Sequence, residues 1–195
     1  MRRFLFLLLP LSLSQCQLKK DLAQVPTYGE AGVHAVIEIP AGTNHKIEYQ
    51  KTNQKFGVDQ IDGQDRIINF LPYPGNYGFI PSTEMDLAKG GDGDALDILV
   101  LCESLPTATL IETKVIATLL LRDNGAIDTK IIAVPIDPKL RVFDLEDFQD
   151  FLLHHDAARR MIESWFLNYK GRGTMELIRW ENDQYALQEI EKWKK

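Results

Sequence analysis

Residues 110–135 read LIETKVIATLLLRDNGAIDTKIIAVP. Two runs rich in Ile, Val, Leu and Thr, LIETKVIATLLL (110–121) and DTKIIAVP (128–135), flank Asp123-Asn124-Gly125. Branched side chains suit a pleated, half-buried surface, and Asn-Gly between two such runs is the strongest short hairpin signal. The centre of the chain is therefore expected to be a β-hairpin. Upstream, the same texture begins at Val33, with strand candidates VHAVIEI (33–39), KIEYQK (46–51), RIINFL (66–71) and LDILVLCE (96–103) separated by Gly, Asn, Asp and Pro. PYPGNYGF (72–79) reads as a tight irregular loop presenting Tyr73 and Tyr77. Downstream the period changes. Phe148, Phe151, Leu152, Met161, Ile162, Trp165, Phe166 and Tyr169 recur at three- and four-residue steps. They predict helix from about 145 to 170, broken near His154-His155-Asp156 and closed by Gly171-Arg172-Gly173. A strand, MELIRW, and a final helix over 183–194 follow. Short strands first and helices last predict a mainly β chain with α (α+β), a small barrel or open sheet with helices packed on it. No internal repeat is visible.

The 195 residues are 45% hydrophobic and 26% charged, which fits one globular domain and excludes wholesale disorder. Lys and Arg number 22 against 28 Asp and Glu, a net charge of −6. An acidic body without a basic, aromatic-studded strand face argues against nucleic acid as a partner. Cys16 and Cys102 cannot form a disulfide scaffold, and Cys102, inside ILVLC, is expected to be a buried core thiol. Residues 1–15, MRRFLFLLLPLSLSQ, pair a basic start with an apolar run from Phe4 to Leu13. That run falls short of the ~20 residues that cross a bilayer core and matches the apolar region of an export signal. Cys16 follows Leu13-Ser14-Gln15, which resembles the lipidation site of bacterial lipoproteins, although Gln15 replaces the usual small residue. Three parts are expected: a signal segment (1–15), a polar lead-in (16–32) and the main domain (33–195). Export, with anchoring to a membrane through a lipidated Cys16, stands against an overlong start in front of a cytoplasmic protein.

The acidic residues carry the chemistry. In GGDGDALDILV (90–100), Asp92, Asp94 and Asp97 crowd the mouth of an apolar strand. Carboxylates so close repel one another unless cations neutralise them, and all-oxygen ligation suits Mg²⁺. A solvated acidic turn is the plainer alternative. An EF-hand fails, because Asp97 stands where the loop needs glycine and Ile98–Cys102 is apolar. A calcium-binding nonapeptide repeat fails because the stretch occurs once. Asp123 and Asp128 form a second acidic pair, and Asp128 and Lys130 share a face if that segment is extended. Ordinary turn aspartates would look the same. Glu38 lies within the apolar run VIEIP and could sit on the exposed side of an amphipathic strand.

The order VIEIP, KIE, DR, PYPGNYGFIP, DGDALD, DNGAIDTK and NYK, spread over about residues 33–171, resembles the family I soluble inorganic pyrophosphatases. That resemblance implies a five-stranded OB-type β-barrel flanked by C-terminal helices, usually in a homo-oligomer. It also implies metal-dependent hydrolysis of inorganic pyrophosphate by direct in-line attack of water, with no covalent intermediate. By the same resemblance Asp92, Asp97 and Asp128 hold a first Mg²⁺, with Asp97 reaching a second. Asp123 and Asp128 take metal that arrives with substrate, and Glu38 helps bind a further ion; Mn²⁺ is a possible substitute. Asp94 is the implied general base, with Tyr77 beside it in the catalytic set. Lys46, Arg66, Tyr77, Lys130, Tyr169 and Lys170 are the implied phosphate-binding groups. One departure is the step from Asp65-Arg66 to Tyr73, one residue shorter than the family pattern. The competing function is an exported OB-like lipoprotein that binds an anionic ligand without turnover.

Overall fold

The computed structural model describes residues 21–195, so the export and lipidation readings of residues 1–16 lie outside the described residues. Ten strands and three α-helices follow in the order β1 (Val33–Ile39), β2 (Ile47–Gln50), β3 (Lys55–Val58), β4 (Gln60–Ile61), β5 (Gln64–Asp65), β6 (Asn76–Phe79), β7 (Asp97–Val100), β8 (Leu110–Asp123), β9 (Ala126–Pro135), α1 (Phe148–His154), α2 (Asp156–Asn168), β10 (Met175–Asn182) and α3 (Asp183–Trp193).

The central hairpin is present. β8 and β9 pair from Asp123 opposite Ala126 to Thr113 opposite Pro135. Asn124 and Gly125 both adopt positive φ, 48° and 93°, as the mirror-image turn of a tight hairpin requires. The main sheet runs β1-β6-β7-β9-β8-β10, and β1 also pairs with β8. Five strands thus come round on themselves in OB-like fashion, with β10 added outside β8. All the main-sheet pairings are antiparallel except β7 with β9, which is parallel.

Alternation along the strands divides the core in two. Ile39, Tyr77, Leu99, Leu119, Ile132 and Val134 share one cluster with Phe151 of α1 and Ile162, Trp165 and Phe166 of α2. Ala35, Ile37, Ile98, Val100, Ile131 and Ala133 share the other with Ala186, Ile190 and Trp193 of α3. The helical stretch breaks where expected: α1 ends at His154, the backbone of His155 (φ −132°) is outside the helical region, and α2 starts on the next residue. Asp147 and Asn182 cap α1 and α3 by accepting from Asp150 N and Tyr185 N. Cys102 is buried, as expected, and accepts from Asn76 Nδ2 at 3.3 Å.

Two expectations are corrected. RIINFL is no strand: Ile67 makes a single bridge to His45, and Phe70 and Leu71 are exposed. PYPGNYGF is only half a loop, because Asn76–Phe79 is a fully buried strand between β1 and β7. Gly78 explains the second case. A Cβ there would stand 1.9 Å from Val36 O, so only glycine lets β1 and β6 approach as they do.

The lead-in packs as well. Val25 and Thr27 are buried, Thr27 Oγ1 donates to Pro81 O, and Ser82 N donates to Ala23 O at 3.0 Å. The C-terminal residues dock on the same stretch: Lys195 N donates to Ser82 O (2.9 Å) and Glu84 N to Trp193 O (2.8 Å), and Thr83 bridges Lys194.

Gly78→Ala should destabilise the fold by about 1–3 kcal/mol, the usual cost of forcing atoms into a packed site. A thermal melt checks this; an unchanged midpoint would contradict the close approach of β1 and β6.

Candidate active site

The parallel register of β7 and β9 sets Asp97 opposite Lys130. Because β9 is extended, Asp128 and Lys130 do share a face, as the alternation predicts. β6 adds Tyr77, opposite Leu99 of β7. Three neighbouring strands thus converge on one ammonium group. Lys130 Nζ donates to Asp97 Oδ2 (2.5 Å), is ion-paired with Asp128 Oδ1 (2.6 Å) and donates to Tyr77 Oη (3.0 Å). Burial opposes charge on Lys130. Asp97, then Tyr77 and Asp128, outweigh it and hold the ammonium well above its ordinary pKa. Burial, followed by the charge of Asp97, pushes the Tyr77 phenol well up, so it is a neutral hydroxyl at physiological pH.

Beside this cluster lies a cleft of about 140 Å³, lined by Glu38, Lys46, Glu48, Lys51, Asp94 and Asp97 among others. Lys46 pairs with Glu48 at 3.2 Å and sits 5.4 Å from the centre of the Tyr77 ring. Burial disfavours its charge, but the acids Asp97, Glu48 and Glu38 help to raise its pKa. Glu38 is 8% exposed and accepts from Tyr49 N at 2.6 Å. Burial raises its pKa to about 7, even though Lys46 and the Tyr49 N–H favour the carboxylate. Glu38 is therefore buried and not on the exposed side of an amphipathic strand, the plainer of its two readings.

Asp92 and Asp94 lie on a loop pinned to Met85, whose O accepts from Gly93 N and whose N donates to Asp94 O, both at 2.7 Å. Gly93 has φ +84°. Asp92 Oδ1 accepts from Asp94 N at 2.9 Å. Partial loss of water, then the charges of Asp94 and Asp97, raise the Asp92 pKa. Asp94 is exposed and accepts from Lys51 Nζ at 3.2 Å.

A second pair closes the far side, where Lys170 Nζ donates to Asp123 Oδ2 at 2.5 Å. Packed aromatic rings run from it toward Lys130. Tyr169 stacks on Trp165 (4.6 Å, 11°), while Trp165 meets Tyr73 (4.5 Å, 45°) and Tyr73 meets Tyr77 (5.4 Å, 44°) at a tilt. Arg66 does not join the Lys130 cluster directly; its guanidinium is bonded to Asp59 at 3.0 Å. Glu48, Lys51 and Asp59 are site-rim residues that the sequence reading did not single out. Glu48 was within reach of it, since Lys46 and Glu48 alternate on one strand face. Lys51 and Asp59 owe their positions to tertiary pairing.

The donor set suits a hard divalent cation: every acidic group here offers oxygen, with neither thiolate nor imidazole among them. Among the described residues, no three of the candidate ligand groups close on one point. Asp97 and Asp128 converge instead on the Lys130 ammonium, and Asp123 on that of Lys170. The carboxylates are thus already arranged around positive charge.

The Inorganic pyrophosphatase family model matches residues 35–195. An inorganic pyrophosphatase of Neisseria meningitidis is 34% identical over 186 residues, covering 90% of this chain and 98% of the relative. One from Saccharolobus solfataricus is 37% identical over 142 residues, covering 71% and 74%. The crystal structure of the inorganic pyrophosphatase from Thermus thermophilus superposes with a TM-score of 0.73 at 30% identity, covering 88% of this chain and 95% of that one.

The raised pKa of Glu38 has a sign that can be tested. Its neutral form favours the fold fully below about pH 4.5, and that contribution is lost as pH rises through about 7. In chelator, Glu38→Gln should therefore melt higher than wild type at pH 8 and close to it at pH 5. Equal melting points at pH 8 would show that the buried carboxylate is not under strain.

Proposed function

The chain belongs to the inorganic pyrophosphatase family, and on that premise we propose that the cleft beside Lys130 hydrolyses inorganic diphosphate to two phosphates with Mg²⁺ as its metal. The supporting observation is the Lys130 ammonium held between Asp97 and Asp128 under the Tyr77 hydroxyl, at the edge of a cleft rich in both signs of charge. A ligand-binding lipoprotein without turnover is not favoured, since family membership and the assembled acidic groups both speak for catalysis.

Asp92, Asp97 and Asp128 would hold a first Mg²⁺, Asp97 a second, Asp123 and Asp128 metal arriving with substrate, and Glu38 a further ion. When bound, such ions neutralise phosphate charge and lower the pKa of a water toward neutrality. The residues do the rest. Asp94 stands exposed at the cleft and takes the proton of the attacking water. Tyr77 already accepts a hydrogen bond from Lys130, which leaves its own proton free for a phosphate oxygen. Lys46 and Lys130, both near the Tyr77 ring, hold oxygens of the phosphate under attack, Lys130 by exchanging its bond to Asp97 or Asp128 for one to phosphate. Arg66, Tyr169 and Lys170 meet the charge that grows on the leaving phosphate. No nucleophilic side chain is needed, so water attacks in line with the bridging oxygen.

The supports for export are Arg2, Arg3 and the apolar run before Cys16. Labelled fatty acid should enter the full chain and not Cys16→Ala; absence of label from both would reject a lipid anchor. Self-association, expected from the family resemblance, is checked by light scattering.

Phosphate release from diphosphate should require Mg²⁺ and yield two phosphates per substrate. Asp97→Asn should lower kcat by about 10²-fold or more, the scale of losing one preorganised charged group, with an unchanged circular dichroism spectrum. A folded variant with near-normal turnover would refute the metal role of Asp97.

A further inference from the structure

The strand that faces Lys46 is interrupted. β2 and β3 pair with Ile47 opposite Val58, and the next residue, Asp59, donates from N to Lys46 O at 2.7 Å. Lys46 N does not return to Asp59; it donates to Arg66 O at 3.0 Å. The ladder continues from there, with His45 bridging Ile67 and Ile68 N donating to Asn44 O. Asp59 and Arg66 therefore share one position opposite Lys46. Two residues facing one make a β-bulge, and here residues 60–65 are inserted between the two.

The inserted piece is a miniature hairpin. Gln60 pairs with Asp65 and Ile61 with Gln64, Asp62 and Gly63 turn at positive φ, and Arg66 N donates to Asp59 O at 2.7 Å where the chain returns. Its residues are exposed. In the sequence, the acid beside Arg66 is Asp65, but the Asp65 carboxylate accepts from Gln60 Nε2 at 3.1 Å, within the hairpin. The carboxylate on the Arg66 guanidinium is that of Asp59, seven residues earlier. Both partners are less than a third exposed. The charge that acts on Arg66 beyond Asp59 is that of Glu48, the partner of Lys46. Asp59 itself lines, with Glu48, Lys51 and Asp94, a depression that adjoins the cleft.

We infer that Asp59, across the inserted hairpin, is a positioning residue that holds the Arg66 guanidinium ready for substrate phosphate, and that Asp65 has no such part. This rests on the phosphate-binding role proposed for Arg66. A free arginine side chain must give up several rotatable bonds to meet an anion; one already held by a carboxylate on a paired strand has given them up in advance.

The test is a double-mutant cycle. Steady-state kcat and KM for diphosphate at saturating Mg²⁺ are measured for wild type, Asp59→Asn, Arg66→Ala, the double variant and Asp65→Ala, with a melting curve for each. Expected are a rise in KM of about fivefold for Asp59→Asn, within the range of coupling between neighbours, with kcat nearly unchanged. Asp59→Asn should add nothing once Arg66 is alanine, and Asp65→Ala should match wild type. An equal Asp59→Asn effect with and without Arg66 would overturn the inference, as would a KM effect of Asp65→Ala. If wild type turns over diphosphate but Arg66→Ala leaves KM unchanged, Arg66 is no phosphate ligand and the inference falls alone. If wild type has no turnover, the proposed function falls first.

Discussion

A lysine ammonium cannot be left alone inside a protein, and Lys130 is 3% exposed. Unpaired, its charge would cost far more than a small domain can spare. Its partners arrive from separate strands: Asp97 from β7, Asp128 from its own strand β9, and Tyr77 from β6. Each depends on register. A slip of one residue in β9 would turn Lys130 from the face shared with Ile132 to the face of Ile131 and Ala133, among purely apolar side chains. The parallel pairing of β7 with β9 and the placement of the candidate site are therefore one constraint. The fold cannot be right and the site wrong.

Around that group, positive and negative charges alternate. Lys46 meets Glu48, Lys51 meets Asp94 and Lys170 meets Asp123. The acids still outnumber the bases in the chain as a whole. An anion approaching such a surface needs its repulsion screened locally, which the proposed metal would do. Trp165, at the centre of the aromatic rings beside the site, donates from Nε1 to Leu71 O at 2.8 Å, tying α2 to the loop before Tyr73.

What the sequence made legible was local. The Asn124-Gly125 turn, the shared face of Asp128 and Lys130 and the helix break at His155 are each set by residues within a few positions of one another. What it concealed was set by distant neighbours. Asn76–Phe79 carries the residues of a turn, yet becomes a strand because β1 and β7 lie on either side and Gly78 lets them close in. RIINFL has strand composition but only a brief partner in residues 44–46. Glu38 could equally be amphipathic surface on local pattern alone, and is buried because β2 folds over it through Tyr49. The carboxylate on Arg66 could not be found by adjacency, since the adjacent acid points elsewhere.

The C-terminal residues hold Ser82 and Glu84, Thr83 Oγ1 accepts from Leu96 N, and Met85 brackets Gly93 and Asp94. The acidic loop is thus braced by residues 193–195, far downstream of it in the chain. On the ribosome, strands β1 to β9 emerge well before residues 193–195, so the Asp92–Asp97 loop acquires this brace only after those residues have emerged. Chains cut or stalled before residue 193 would carry the acidic residues without that brace, and the order of synthesis would delay catalytic competence until residues 193–195 are in place.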